Sequence, residues 1–359
     1  RAGFRVVYLK PIDAIVDTGL RVRRYLASDH ARWDAFVAHC AQATFFHRSG
    51  WSRVITEGLG QRCRYLLAER NGEIEGILPL AEVRSRLFGH ALISTPCCVY
   101  GGVAAVSEDA RQALILESMR LAKRLGVDAL EMRNREAVCP EWPTQNLYVT
   151  FRRPISEADA DNFKSIPRKQ RAMVRKAIDA GLSACVTNDL DRFYRIYSES
   201  VRNLGTPVFS RRFFAVLINE FHSDTELSVV AASGRDVAAV LSFYFRDEVL
   251  PYYGGSQLAA RPVKGNDFMY WDLMRRAAAR GVRVFDYGRS KVGTGPYHFK
   301  KNWGFVPQPL HYEYYLVRSR VIPENNPMNP RYRLLIAAWK WLPLSIANTV
   351  GPMLARHLG

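Results

Sequence analysis

Most residues that could carry chemistry fall between Val282 and Phe305, where the chain reads VRVFDYGRSKVGTGPYHFKKNWGF. Asp286 and Arg289 stand where a β-rich run meets a glycine-rich stretch, and Lys300 and Lys301 follow among aromatic residues. A carboxylate at a strand end can orient or deprotonate a nucleophile. A strand end, a glycine loop and a returning cationic segment can together line a cleft. Ser290, Tyr297 and Phe299 adjoin these groups as candidate substrate contacts, and His298 is a second candidate base. The same residues also fit a plain hairpin with surface lysines and an Asp286–Arg289 ion pair. Composition alone leaves both readings open.

The elements that would position these groups follow from the pattern. Val282–Tyr287 reads as a strand. Gly288, Gly293, Gly295 and Pro296 make a loop. Tyr297–Lys301 reads as a returning extended run, which would turn Lys301 to the face opposite Lys300. Upstream, Asp267–Arg280 reads as a helix stopped by Gly281. It follows strands at Leu227–Ala232, Val237–Phe245 and Val249–Gly255, with Ser233-Gly234 as a turn. Tyr252 and Tyr253 lie on the last strand, Tyr253 as a candidate pocket wall and Tyr252 as core. Leu190–Leu204 has helical spacing, and Ser210 caps a following helix.

A similar order occurs earlier. Leu26–Gln61 reads as two helical pieces. Arg64–Glu69 and Ile74–Val83 flank the hairpin signal Asn71-Gly72. Leu92–Val106 reads as strand-like, Ala110–Leu125 as a helix stopped by Gly126, and Val127–Met132 as a strand. Tyr100-Gly101-Gly102 and Tyr253-Gly254-Gly255 recur at nearly the offset that separates Gly126 from Gly281, which argues for a duplicated α/β unit. Between the units lies FKSIPRKQRAMVRKA, residues 163–177, in which Arg168, Arg171 and Arg175 share one helical face. That face suits a phosphate clamp, because guanidinium groups pair bidentately with phosphate. It also suits a solvated connecting helix.

FDYGRS followed by GTGPYHFKKNWGF resembles the C-terminal signature of FemAB-like acyltransferases of the GNAT superfamily. It is closest to the branch associated with PEP-CTERM/exosortase gene sets and exopolysaccharide production. The resemblance implies an α/β (α+β) fold of two tandem GNAT-like units, each a mostly antiparallel mixed sheet flanked by helices. It implies acyl or aminoacyl transfer to a cell-envelope or exopolysaccharide precursor, with a sugar nucleotide or lipid-linked saccharide as acceptor. Lys300, after Phe299, matches the Phe-Lys pair of the family motif, and the basic helix would edge the acceptor site. No cofactor is expected to be tightly bound, and the donor would be aminoacyl-tRNA or acyl-CoA. GNAT enzymes hold the CoA pyrophosphate on a Q/R-x-x-G-x-G/A loop before a helix. The corresponding RPVKGNDFMYW keeps Arg261, Lys264 and Gly265 but lacks the second glycine, which weakens the CoA reading.

The formal net charge of +17 favours anionic partners, tRNA among them, without choosing between them. The six cysteines form no C-x-x-C pair, so no metal site is expected. No apolar run reaches the length of a membrane span, and the start lacks a signal-peptide pattern, which together suggest the cytoplasm. The tail, Asn329–Gly359, sets Leu334, Leu335, Ile336, Trp339, Trp341 and Leu342 beside Arg331, Arg333 and Lys340, with Pro343 and Pro352 as interruptions. It reads either as a helix packed on the body or as an amphipathic segment at the inner membrane face. The expected organisation is an extension at 1–20, a first unit at 21–160, a second at 161–318 and the tail at 319–359. A non-catalytic RNA-binding or membrane-peripheral scaffold that keeps the same fold is the alternative to an enzyme.

Overall fold

The computed structural model describes residues 19–85, 89–323 and 330–357; most of the expected N-terminal extension lies outside them. In the first half, Leu66–Arg70 and Glu73–Leu78 form a hairpin across Asn71 and Gly72, both at positive φ as a two-residue turn requires. Leu20–Arg24 and Ala104–Ala105 complete that sheet of four strands. A five-stranded sheet runs in the order His311–Leu316, Ala129–Asn134, Gly89–Ser94, Leu80–Ser85, Arg62–Cys63. Gly89–Ser94 and Ala129–Asn134 are parallel, joined by the crossover helix Glu108–Leu125. Ser107 caps that helix by accepting from the Ala110 N–H, and Gly126 ends it in the left-handed conformation.

The second half repeats the plan in one six-stranded sheet. Ser183–Thr187, Thr225–Ala232, Arg235–Phe245 and Glu248–Ser256 are antiparallel neighbours. Glu248–Ser256 then pairs in parallel with Val284–Asp286 across the crossover helix Gly265–Ala279. The parallel pairing covers only Glu248/Val284 and Val249/Phe285, after which the strands part. The halves also exchange strands. Arg152–Pro154 adds to the second sheet beside Val284–Asp286, and His311–Leu316 adds to the first beside Ala129–Asn134.

Alternation along the second-sheet strands divides the core. Val229, Ala239, Leu241 and Phe243 face Phe193, Ile196 and Phe213, and this core continues into Phe45, Phe46 and Trp51 of the first half. Phe45 stacks on Phe243 at 4.4 Å between ring centroids. Val230, Ala238 and Val240 face the Gly265–Ala279 helix on the other side. One continuous aromatic core therefore welds the halves, and burial on this scale sets their relative position.

Four expectations change. Ile74–Val83 is not one strand: Pro79 divides it into Glu73–Leu78 and Leu80–Ser85, which belong to different sheets. Leu92–Val106 is not one strand: pairing stops at Ser94 and resumes at Ala104, because Thr95 and Cys97 take positive φ. Tyr100-Gly101-Gly102 thus lies in a loop, whereas Tyr253-Gly254-Gly255 lies within a strand, so their recurrence does not mark equivalent positions. The segment from residue 163 to 177 is not one helix. Pro167 separates Asp159–Ser165 from Arg168–Asp179, since the residue before a proline is driven out of helical conformation.

Candidate active site at the end of the second parallel strand

Asp286 ends its strand fully buried. Its Oδ1 accepts from the Gly288 N–H at 2.7 Å and from Thr150 Oγ1 at 3.1 Å. Its Oδ2 accepts from the Tyr100 hydroxyl at 2.9 Å and lies 3.0 Å from Arg152 Nε. The expected ion pair with Arg289 is not formed. The chain turns at Gly288, whose φ of 64° favours glycine, and carries Arg289 away from Asp286. Arg289 lies instead over the Tyr148 ring at 4.8 Å and donates to the Tyr312 hydroxyl at 3.3 Å. Among the described residues it has no carboxylate partner.

Lys300 does not lie on an extended run. Gly295–Asn302 is a helix with Pro296 in its first turn, where a fixed φ and a missing N–H cost nothing. The glycines and proline that read as a loop are the helix's entry. One face of it buries Lys300, at 9% exposure, while the next residue, Lys301, is exposed. The Lys300 ammonium donates to the carbonyls of Tyr287 at 2.7 Å, Gly288 at 3.1 Å and Arg289 at 3.2 Å. Three acceptors match its three N–H donors. Burial pushes its pKa down to about 7; the Asp286 charge opposes that shift and Arg289 adds to it. A cation that loses its proton near neutrality thus sits behind the turn carrying Asp286 and Arg289.

The strand Tyr148–Thr150 and the strand Arg152–Pro154 support the turn from the side. Ser290 and Lys291 pair with Val149 and Tyr148. Tyr148, Thr150 and Arg152 alternate along the chain, so all three reach the site: the first under Arg289, the others on Asp286. Sequence reasoning missed them and Tyr100. The signal was the alternation in LYVTFRRP, hidden because a short strand between the halves had no visible partner.

The other candidates are dispersed. Ser290 is buried beside Arg289, and its hydroxyl has no hydrogen-bond partner among the described residues. Tyr253 belongs to the aromatic core, 5.1 Å from Phe214 and 4.8 Å from Tyr252. Tyr252 turns its hydroxyl to the Cys97 carbonyl at 3.1 Å. Tyr297 packs on Phe151 and Phe299 on Tyr270.

Arg168, Arg171 and Arg175 do not line the space between the halves. Gln170, Val174 and Ala177 bury their helix against Gly265–Ala279, on the sheet face away from the shared aromatic core. The Gln170 amide donates to Asp267 at 3.4 Å, which sets the first turn of the basic helix beside the first turn of the Gly265–Ala279 helix. Arg261 and Lys264 precede that same turn, and none of Arg168, Arg171, Arg261 and Lys264 forms an ion pair among the described residues. Gly265 is required there, since a Cβ would come within 2.9 Å of Ala260. No group of three or more His, Cys, Asp or Glu among the described residues could hold a metal ion.

The first half has an open cavity of about 350 Å³ at the corresponding place, lined by Thr44, His47, Tyr100, Gly102, Arg133 and Arg135 among others. Burial keeps His47 neutral, with its pKa down to about 4, and its Nε2 lies 2.9 Å from the Gly102 carbonyl. A Cβ on Gly102 would overlap the Asn134 side-chain oxygen. Gly102→Ala is therefore expected to cost about 1–3 kcal/mol, as overpacking of a close contact does; a thermal melt reads it as a lowered midpoint. Tyr100 forms a wall of this cavity, and its hydroxyl reaches Asp286 in the second half.

Residues 166–301 match the sequence model of a family described as acetyltransferase (GNAT) domain. No curated protein matches the chain in sequence. Among solved structures, FemX superposes with a TM-score of 0.64 at 16% identity, over 82% of this chain and 97% of that one. A tandem GNAT protein from the clavulanic acid biosynthesis pathway gives 0.53 at 12% identity, over 82% of this chain and 97% of that one. The C-terminal domain of a putative lysylphosphatidylglycerol synthetase from Agrobacterium fabrum gives 0.52 at 11%, over 87% and 96%. The fold is thus that of tandem GNAT proteins, with the GNAT domain match confined to the second unit.

Proposed function

We propose that the protein is an acyltransferase that moves an acyl group from a thioester donor to an amine or hydroxyl of a saccharide-bearing cell-envelope or exopolysaccharide precursor. The observation that carries this reading is the wedge between Glu248–Ser256 and Val284–Asp286, whose narrow end leads to the Asp286–Arg289 turn. A donor whose pyrophosphate rests on the first turn of the Gly265–Ala279 helix would meet Arg261 and Lys264, with Arg168 and Arg171 beside them. Its acyl group would then lie along the wedge. Asp286 and Lys300 hold the turn in place, and Arg289 is the cation left to meet an anionic group of the acceptor. The nucleotide or lipid diphosphate of a saccharide precursor supplies such a group. The likeness to the lysylphosphatidylglycerol synthetase domain, a protein named for a lipid product, is one of fold.

The test is release of free thiol from a panel of acyl-CoA thioesters, with sugar nucleotides and lipid-linked saccharides as acceptors. Arg289→Gln is expected to raise KM for the acceptor about 10- to 100-fold, the value of hydrogen bonds to one charged group, with a smaller change in kcat. An unchanged KM would remove Arg289 from the acceptor site. A second reading, aminoacyl-tRNA as donor, is favoured by Arg168 and Arg171 of the basic helix, which form no ion pair among the described residues. Transfer from aminoacyl-tRNA with none from any thioester would select it.

A further inference from the structure

The two C-terminal helices break the usual rule for a surface helix, which is apolar towards the body and polar outwards. Ile336 and Trp339 of Pro330–Trp341 turn towards the protein, with Ile336 against Gly205. Arg202 fixes the end of this helix by donating to the Leu342 carbonyl at 3.0 Å. Yet the outward face is apolar as well: Leu334 is 82% and Trp341 87% exposed, with Ala337 and Ala338 between them. Leu344–Ala355 contains no charged residue. Gly351 packs closely against Val208, while Ile346, Val350 and Met353, at i, i+4 and i+7, form an exposed stripe. Exposed apolar surface on both of these helices, each packed on Leu190–Leu204, marks an interaction site.

We propose that this face docks on an anionic lipid bilayer, an inference independent of the transferase reading. Charge argues for that occupant. From Pro330 to His357 the sequence contains no Asp or Glu, and Lys340 borders the apolar face of the first helix. One turn beyond Met353 the second helix ends at Arg356, which with Arg62, Arg84 and His357 lines an open cavity of about 340 Å³. Glu82 in that cavity is already engaged by Arg64, Arg84 and His90. A second copy of the chain is disfavoured by the same charges, because a twofold interface sets each patch against itself. Among the described residues no helix is long and apolar enough to cross a membrane, so the helices would lie in the interface plane. Trp341 suits the headgroup level, and Lys340 and Arg356 suit anionic phosphates.

Flotation with phosphatidylcholine vesicles containing about one-third phosphatidylglycerol tests this, with pure phosphatidylcholine vesicles as reference. The full chain is expected to float with the anionic vesicles and to bind the neutral ones at least roughly tenfold more weakly. Leu334→Glu/Trp341→Glu is expected to abolish flotation. Lys340→Gln and Arg356→Gln should each weaken it about fivefold, the value of one cation near an anionic surface. All these side chains are exposed, so the thermal midpoint should not move; Ile346→Glu on the other helix is the second variant should it do so. Absence of wild-type binding would overturn the proposal, as would equal binding by the Leu334→Glu/Trp341→Glu variant. So would a dimer in solution that this variant dissolves, which would make a second copy the occupant.

Discussion

Lys300→Met is expected to lower turnover by roughly 10²-fold, the cost of letting reacting groups shift by about 1 Å when the turn that carries them loses its anchor. The methionine stem preserves packing, but three carbonyls lose their donor and the turn carrying Asp286 and Arg289 loses its anchor. Lys301→Met, one residue on and exposed, is the control and should change turnover less than twofold. Two pH readouts separate a working charge from simple packing. Turnover that depends on the ammonium should fall as pH rises through about 7. Stability should move the other way. Between the folded pKa of about 7 and the ordinary lysine value of 10.5, the unfolded chain holds a proton that the folded chain does not. The wild type is therefore expected to gain stability as pH rises across that window, and to lose that gain as pH falls through about 7. Lys300→Met should show neither trend. Equal, small effects of the two substitutions on turnover would remove Lys300 from the mechanism.

Asp286→Ala is expected to destabilise the protein by about 3–5 kcal/mol, as removal of one member of a buried ion pair does. Arg152 would keep Glu248, but the Tyr100 and Thr150 hydroxyls and the Gly288 N–H would all lose their acceptor. Asp286→Asn keeps the volume and turns one acceptor into a donor facing other donors, so it should fall between wild type and Asp286→Ala. Urea denaturation gives the comparison. A loss below 1 kcal/mol for Asp286→Ala would mean that this network does not hold the turn in place.

Much of both units was legible because their signals are local. Asn71-Gly72 and Ser233-Gly234 supply the positive φ of tight turns, and Gly126 and Gly281 stop helices. The stretch from Asp286 to Lys300 was legible by residue type, and Asp286 and Lys300 do bind the same turn. Its geometry was not. Pro296 reads equally as a loop breaker and as a first-turn helix residue, and only the packing of Trp303 and Phe305 decides for the helix. Tyr100, Tyr148, Thr150 and Arg152 were invisible as site residues because their partners lie far away in sequence, across strand exchange. The basic helix was legible as a helix and as basic, but the side of the sheet it covers depends on Gln170, Val174 and Ala177 finding the Gly265–Ala279 helix.

The central claim, that the second unit holds an acyl donor in the wedge ending at Asp286, is tested most directly by a crystal structure with an acyl-CoA thioester bound. The expected density places the pyrophosphate on the first turn of Gly265–Ala279 near Arg261 and Lys264, and the thioester between Glu248–Ser256 and Val284–Asp286. A thioester lodged in the first unit, between Gly89–Ser94 and Ala129–Asn134, would contradict the account, as would crystals that take up no thioester at saturating concentration.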